Sequence, residues 1–157
     1  MPNYGLSLNV IESENVGIIT PSMGRTWALR LACSSCRDVT ENFIFVSSTL
    51  SCETSGGGSA NFCLKCKTCK QQMTVNVVKE GPTTLSNSFG EDVAVFDIRN
   101  AEPVALLFQA GWEVTTSSGE GAEKFLDVLL DEEWTDYDER SQQPISILKV
   151  KAVFHRT

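Results

Sequence analysis

All six cysteines of this 157-residue chain precede residue 70. Four of them form two pairs of one spacing, Cys33-Ser34-Ser35-Cys36 and Cys66-Lys67-Thr68-Cys69, with 29 residues between the pairs. Two residues between thiols let one tight turn aim both sulfurs at an ion about 2.3 Å away, and two such turns complete a tetrahedron. The chain has one histidine, His155, so a metal site has to be built from thiolates. A redox dithiol of the thioredoxin type needs its C-x-x-C at a helix N-terminus, and no helical period follows Cys36 or Cys69. The spacing predicts one structural zinc ion on Cys33, Cys36, Cys66 and Cys69. A zinc with four protein ligands has no open position for water, so it holds the fold and activates nothing.

Cys63-Leu64-Lys65-Cys66 repeats the spacing one register earlier. The later pair is preferred, because Lys65, Lys67 and Lys70 give it the polarity of a turn. Cys63 follows Phe62 in a strand pattern and reads as a small buried hydrophobe. Cys52 reads as an incidental thiol with no base beside it.

The rest of the chain alternates with period two. Leu6, Leu8 and Val10; Trp27, Leu29 and Leu31; Phe43 and Phe45; and Met73, Val75 and Val77 each predict a half-buried strand. Further strands are expected at 93–99, 104–108, 112–115 and 145–154, the last with Leu148, Val150, Ala152 and Phe154 on one face and Lys149 and Lys151 in water. Residues 122–133 fit helix or strand and are taken as strand. Breaks are expected at 51–59, 80–92 and 116–121. The first contains Gly56, Gly57 and Gly58 but lacks the ending of a phosphate loop, so it is assigned no ligand.

Leu8, Val10, Val16, Ile18 and Ile19 can be laid over Phe96, Ile98, Val104, Leu106 and Leu107 at an offset of 88, a weak internal repeat. The expected architecture is all-β: two similar antiparallel halves, sandwich-like or barrel-like, packed as one compact unit over 1–157. Residues 1–85 form the metal-binding half, and 86–157 a second half without metal.

Hydrophobic residues make up 41% of the chain, too many for a disordered segment. The net charge of -7 repels phosphate backbones and anionic lipid, so neither nucleic acid nor membrane is an expected partner. No signal-like segment opens the chain and no apolar run is long enough to span a bilayer. The expected location is the cytoplasm, with nuclear access. Around the cysteine pairs, Arg25, Arg30, Arg37, Lys65, Lys67 and Lys70 outnumber Asp38, Glu41 and Glu53, an excess that screens thiolates or faces a partner.

Seven of the thirteen residues from Asp127 to Glu139 are acidic. No glycine sits where an EF-hand loop needs one. Trp134 and Tyr137 interleave the carboxylates, which makes Trp134, Asp136, Tyr137 and Asp138 a candidate surface for a protein partner. Thr135 could cap a short turn with Asp138 at its third position.

TWALRLACSSC, GGGSAN ahead of KCKTC, AEPVALLFQAGW and WTDYDE together resemble the eukaryotic CXXC-motif-containing zinc-binding proteins, in order along nearly the whole chain. The resemblance implies an all-β protein of two similar halves with one four-cysteine zinc in the first, on Cys33, Cys36, Cys66 and Cys69. It supplies no reaction. The first knuckle here is CSSC, where family members carry a glycine-containing form. Three functions stay open. The first is a non-enzymatic zinc protein that meets a protein partner. The second is a thiol oxidoreductase, similar to zinc-containing methionine sulfoxide reductases, with Cys52 or Cys63 as nucleophile. The third is a zinc-handling protein in which Cys63 assists ligand exchange.

Overall fold

A computed structural model describes residues 3–84, 91–117, 122–130 and 133–157. Among these residues there is no helix, and fifteen strands pair antiparallel. In chain order they are β1 (Asn3–Glu14), β2 (Val16–Pro21), β3 (Trp27–Cys33), β4 (Ile44–Val46), β5 (Cys52–Glu53), β6 (Ser59–Ala60), β7 (Phe62–Lys65), β8 (Gln72–Glu80), β9 (Thr83–Thr84), β10 (Ala94–Arg99), β11 (Ala101–Leu107), β12 (Trp112–Thr116), β13 (Lys124–Val128), β14 (Glu133–Asp138) and β15 (Gln143–Arg156). The largest sheet runs β14-β15-β1-β10-β8-β7. Two smaller sheets run β11-β3-β4 and β13-β12-β2-β9, and β5 pairs with β6 alone.

The order of the large sheet is symmetric about its central pair. β1 meets β10, β8 and β7 lie outside β10, and β15 and β14 lie outside β1. The small sheets repeat the relation, because β11-β3-β4 in one corresponds to β2-β12-β13 in the other. β2 pairs with β12 and β11 with β3, so each half gives a strand to the other's small sheet. The turns that make the exchange match as well. Asn15 (φ 59°) carries the chain from β1 to β2 and Asn100 (φ 64°) from β10 to β11, and asparagine is one of few side chains that tolerates the left-handed region. The two halves therefore correspond in structure, and at this corner they lie 85 residues apart and not 88. Asn15 corresponds to Asn100, while the β2–β12 and β11–β3 registers make Trp112 the counterpart of Leu29 and Thr116 that of Cys33, 83 residues apart. The alternating pattern alone aligns at several offsets.

Trp27 and Trp112 meet near the centre, ring centroids 5.7 Å apart and edge to face, and Trp27 also meets Phe96 at 5.6 Å. All three are buried. The Arg25 guanidinium lies over both indoles, 4.8 Å from Trp27 and 4.4 Å from Trp112. Its Nη2 donates to the Ala110 carbonyl at 3.3 Å. Burial pulls Arg25 down to about 10 against the opposing charge of Glu80, so it stays charged at neutral pH. The Glu80 carboxylate accepts Trp27 Nε1 at 2.9 Å and the Gly24 N–H at 3.0 Å. Arg25 is thus part of the core and not of the basic surface expected around the cysteines.

Two strand faces differ from the pattern read in the sequence. In β4 the inward residue is Val46, opposite Trp27, and Phe45 points out beside Ala28 at 50% exposure. In β15 Ile145 and Ile147 are buried, then Val150, so the phase changes by one and Leu148 leaves the Val150 face. The cause is Lys149, whose φ of 56° breaks the alternation. Residues 124–128 of the ambiguous segment are strand. Of the expected breaks, residues 85–90 and 118–121 lie outside the described residues, as do 131 and 132 of the acidic run.

Candidate metal centre

β3 ends at Cys33 and β7 ends just before Cys66, so two strand ends deliver the two C-x-x-C turns to one place. The turns are built alike. Arg37 N–H donates to the Cys33 carbonyl at 2.9 Å and Cys33 N–H to the Asp38 carbonyl at 2.8 Å. In the second turn, Lys70 N–H donates to Cys66 and Cys66 N–H to Gln71, both at 2.9 Å. Arg37 and Lys70, each just after the second cysteine, both sit at φ 66°. A left-handed residue there costs on the order of 1 kcal/mol for any side chain but glycine. Lys70→Gly is accordingly expected to raise the denaturation midpoint of the metal-loaded protein by up to about 1 kcal/mol of stability, measured in urea, and a fall would contradict this account of the turn.

The four sulfurs lie within 4.8 Å of one another. Across the turns, Cys33 Sγ is 3.5 Å from Cys69 Sγ and Cys36 Sγ 3.5 Å from Cys66 Sγ. A tetrahedron with 2.3 Å arms has an edge of about 3.8 Å, so the set fits zinc. Backbone N–H groups point at the sulfurs. Cys33 accepts from Cys36 and Ser35, which lowers its thiol; Cys66 accepts from Cys69 and Thr68, which bring it down to about 7. Cys36 accepts the Asp38 N–H but is pushed up to about 12 by burial and the neighbouring sulfurs, and Cys69, which accepts the Gln71 N–H, is raised by Cys33. A coordinated divalent ion deprotonates all four.

The turns also clasp each other. Thr68 Oγ1 donates to Asp38 Oδ2 at 2.6 Å, and Ser35 Oγ donates to Gln71 Oε1. Each hydroxyl is the residue before a second cysteine, and each acceptor lies two residues after one. Sequence reading missed this, although laying CSSCRD over CKTCKQ shows it. The site rests on the β10–β11 corner, where the Asn100 carbonyl accepts the Ser34 N–H at 3.0 Å.

The remaining cysteines are not as expected. Cys52 and Cys63 form a disulfide joining β5 to β7, with Cα atoms 6.3 Å apart. Cys52 is therefore no incidental thiol and Cys63 no buried hydrophobe. The strand pairing brings them into bonding reach, which spacing alone does not reveal. A cavity of about 390 Å³ opens beside the second turn, with Leu64 and Met73 at its side and Asp38, Glu41, Lys65 and Lys67 among its polar residues. His155 does not line it, and its Nε2 lies 2.7 Å from Asp92 Oδ1. Gly5 lies against that pair, where a Cβ would collide with both side chains.

The acidic segment separates into exposed and buried parts. Asp136 is exposed and caps the Tyr137 N–H at 2.7 Å, and Tyr137 is 50% exposed. Trp134 is half-buried, its ring 5.5 Å from Phe125. Asp138 is fully buried, so it cannot belong to a partner surface. Thr135 lies inside β14 and caps no turn.

The sequence model of the eukaryotic CXXC motif containing zinc binding proteins matches residues 6–155. The chain is 31% identical over 139 residues to the CXXC motif containing zinc binding protein of Bos taurus, covering 82% of each. The crystal structure of C1orf123 superposes with a TM-score of 0.86 at 27% identity, over 99% of both chains. A hypothetical protein from Plasmodium falciparum has the same fold, with a TM-score of 0.82 at 22% identity over 99% of this chain and 100% of its own. Matched from residue 6 to residue 155, with its paired C-x-x-C turns gathered into one four-sulfur cluster, the chain belongs to the eukaryotic CXXC-motif-containing zinc-binding protein family.

Proposed function

We propose that this protein is a non-enzymatic zinc-binding module. One zinc ion on Cys33, Cys36, Cys66 and Cys69 holds the first half in shape for contact with a protein partner. The observation that carries the reading is the pair of matched, reciprocally clasped turns, which close four thiols around one point and leave no ligand position to a substrate. The disulfide between Cys52 and Cys63 supports it, because neither sulfur is then a thiol for peroxide or sulfoxide chemistry or for ligand exchange. Of the four candidate partner residues, Asp136 and Tyr137 are the exposed ones, on β14, which ends the large sheet among the described residues, with the half-buried Trp134 anchoring the strand.

Competition with a chelator tests the role of the metal. The expected result is one zinc per chain, released slowly and together with loss of β structure in circular dichroism. Rapid release from a still-folded protein would instead favour zinc handling, for which the exposure of Cys69 gives the route. Tyr137→Ala is expected to leave zinc content and melting unchanged while weakening partner binding.

A further inference from the structure

The internal symmetry of the fold places a second cluster where the second half should carry the counterpart of the metal centre. In the first half the Asn100 carbonyl holds the Ser34 N–H at 3.0 Å; in the second the Asn15 carbonyl holds the Ser117 N–H at 3.1 Å. Cys33 N–H donates to Asp38, and Thr116 N–H donates to the Glu123 carbonyl at 3.0 Å. The second turn matches too. Cys66 closes on Gln71 around four residues, and Asp138 pairs with Gln143 around four more. Lys70 is left-handed before β8 and Gln142 (φ 56°) before β15. Thr116 thus stands for Cys33, Asp138 for Cys66 and Ser141 for Cys69. No counterpart of Cys36 is assigned among the described residues.

Oxygen atoms converge where the first half has sulfurs. Asp138 accepts the Ser141 hydroxyl at 2.7 Å, the Arg140 N–H at 3.1 Å and Asn15 Nδ2 at 3.3 Å. Thr116 Oγ1 accepts the Glu123 N–H at 3.0 Å. The Glu123 carboxyl contacts the Asp138 carboxyl, and its buried Oε2 has no donor against it. Two ionised carboxylates are both acceptors and repel, so a buried contact between them needs a proton.

We propose that Glu123 and Asp138 share one proton, and that this proton joins the β12–β13 connection to the β14–β15 turn where the first half joins its turns through four thiols. The surroundings agree with the assignment. Contact with Asp138, then burial, pushes Glu123 above the usual carboxylate range; Glu139 adds to this and Arg140 opposes it. Asp138, held first by the Ser141 hydroxyl, comes down to about 2 in spite of burial. Asn15, Ser141 and Thr116 bring no charge. The proton sits on Glu123 and is donated to Asp138.

The two carboxyls link stability to pH in opposite senses. Glu123 stabilises the fold below its raised pKa, and that contribution is lost as the pH rises through it. The contribution of Asp138 is present above the unfolded aspartate value near 4 and fades as the pH falls toward 2. The decisive measurement is carboxyl carbon-13 NMR of the full-length zinc-loaded protein between pH 4 and 9. One glutamate resonance, absent in Glu123→Gln, is expected to titrate well above the rest, and ordinary titration of every glutamate would overturn the proposal. Urea and thermal denaturation supply a second reading, since the side-chain amide that Glu123→Gln introduces can donate to Asp138 at every pH. Glu123→Gln is expected to melt about 2–4 °C above wild type at the alkaline end, with no advantage at pH 5. An equal loss at both ends would overturn the proposal. So would millimolar calcium or magnesium raising the melting temperature of wild type and not of Glu123→Gln, because the pair would then hold a cation. The NMR titration uses wild type, so a misfolded variant leaves the test intact.

Discussion

Cys66→Ser is expected to release the zinc and unfold the first half of the protein. Cys66 is buried at the end of β7, its sulfur accepts two backbone N–H groups and it lies 3.5 Å from Cys36 Sγ. Structural zinc sites bind with apparent free energies on the order of 10 kcal/mol, which is comparable to the whole stability of an ordinary domain. A serine hydroxyl is a poor substitute for a thiolate, so most of that contribution is lost. Metal analysis and circular dichroism on the same preparation decide the matter. The contrasting variant is Cys63→Ser, which opens the disulfide and leaves the four sulfurs of the cluster in place. It is expected to keep its zinc. Unchanged metal content in Cys66→Ser, or zinc loss in both variants, would defeat the ligand assignment.

The second large effect is expected where Trp27 and Trp112 meet. Removing a buried tryptophan costs about 3–5 kcal/mol, so Trp27→Ala and Trp112→Ala should both be severe. Phenylalanine separates them. Trp27 Nε1 donates to Glu80 at 2.9 Å, whereas Trp112 Nε1 is buried with no partner. Trp27→Phe leaves the Glu80 carboxylate short of a donor, adding about 1–3 kcal/mol, and Trp112→Phe carries no such penalty. Urea denaturation should therefore rank Trp27→Phe as the less stable of the two by at least about 1 kcal/mol. Equal midpoints would mean that the Glu80 hydrogen bond contributes nothing net. Arg25 stacks on both rings, so these substitutions also loosen the hold on a buried cation.

What the sequence made readable was local and periodic. Alternation exposed the inward faces of β1, β3 and β8, and the C-x-x-C spacing named the four sulfurs that the fold brings together, because a turn of fixed length dictates where two side chains point. What it hid depends on pairing between distant strands. Cys52 and Cys63 are ordinary residues until β5 and β7 lie side by side. Asp138 reads as one more exposed carboxylate until the counterpart of the second cysteine turn buries it against Ser141 and Asn15. Arg25 looks like surface charge beside the knuckles until two tryptophans from opposite halves close over it. The phase errors at Phe45 and Leu148 have a local cause, since one left-handed residue or a one-residue shift in a short strand inverts which side faces the core.

The pairing of β1 sets an order of assembly during synthesis. β1 lies between β10 and β15, and the N–H of Thr157 donates to the Asn3 carbonyl at 2.9 Å. β1 therefore waits for β10 and β15 before both its edges are satisfied. The cysteine turns and β3, β4, β7 and β8 all leave the ribosome before the second half exists, with the Asn100 contact to Ser34 added later. Metal capture can thus precede closure of the large sheet. For a fold in which β1 pairs with β10 and β15, β2 with β12 and β3 with β11 across long stretches of chain, pairings that are slow to form, an early clamp on the first half shortens the time for which unpaired strand edges stay open.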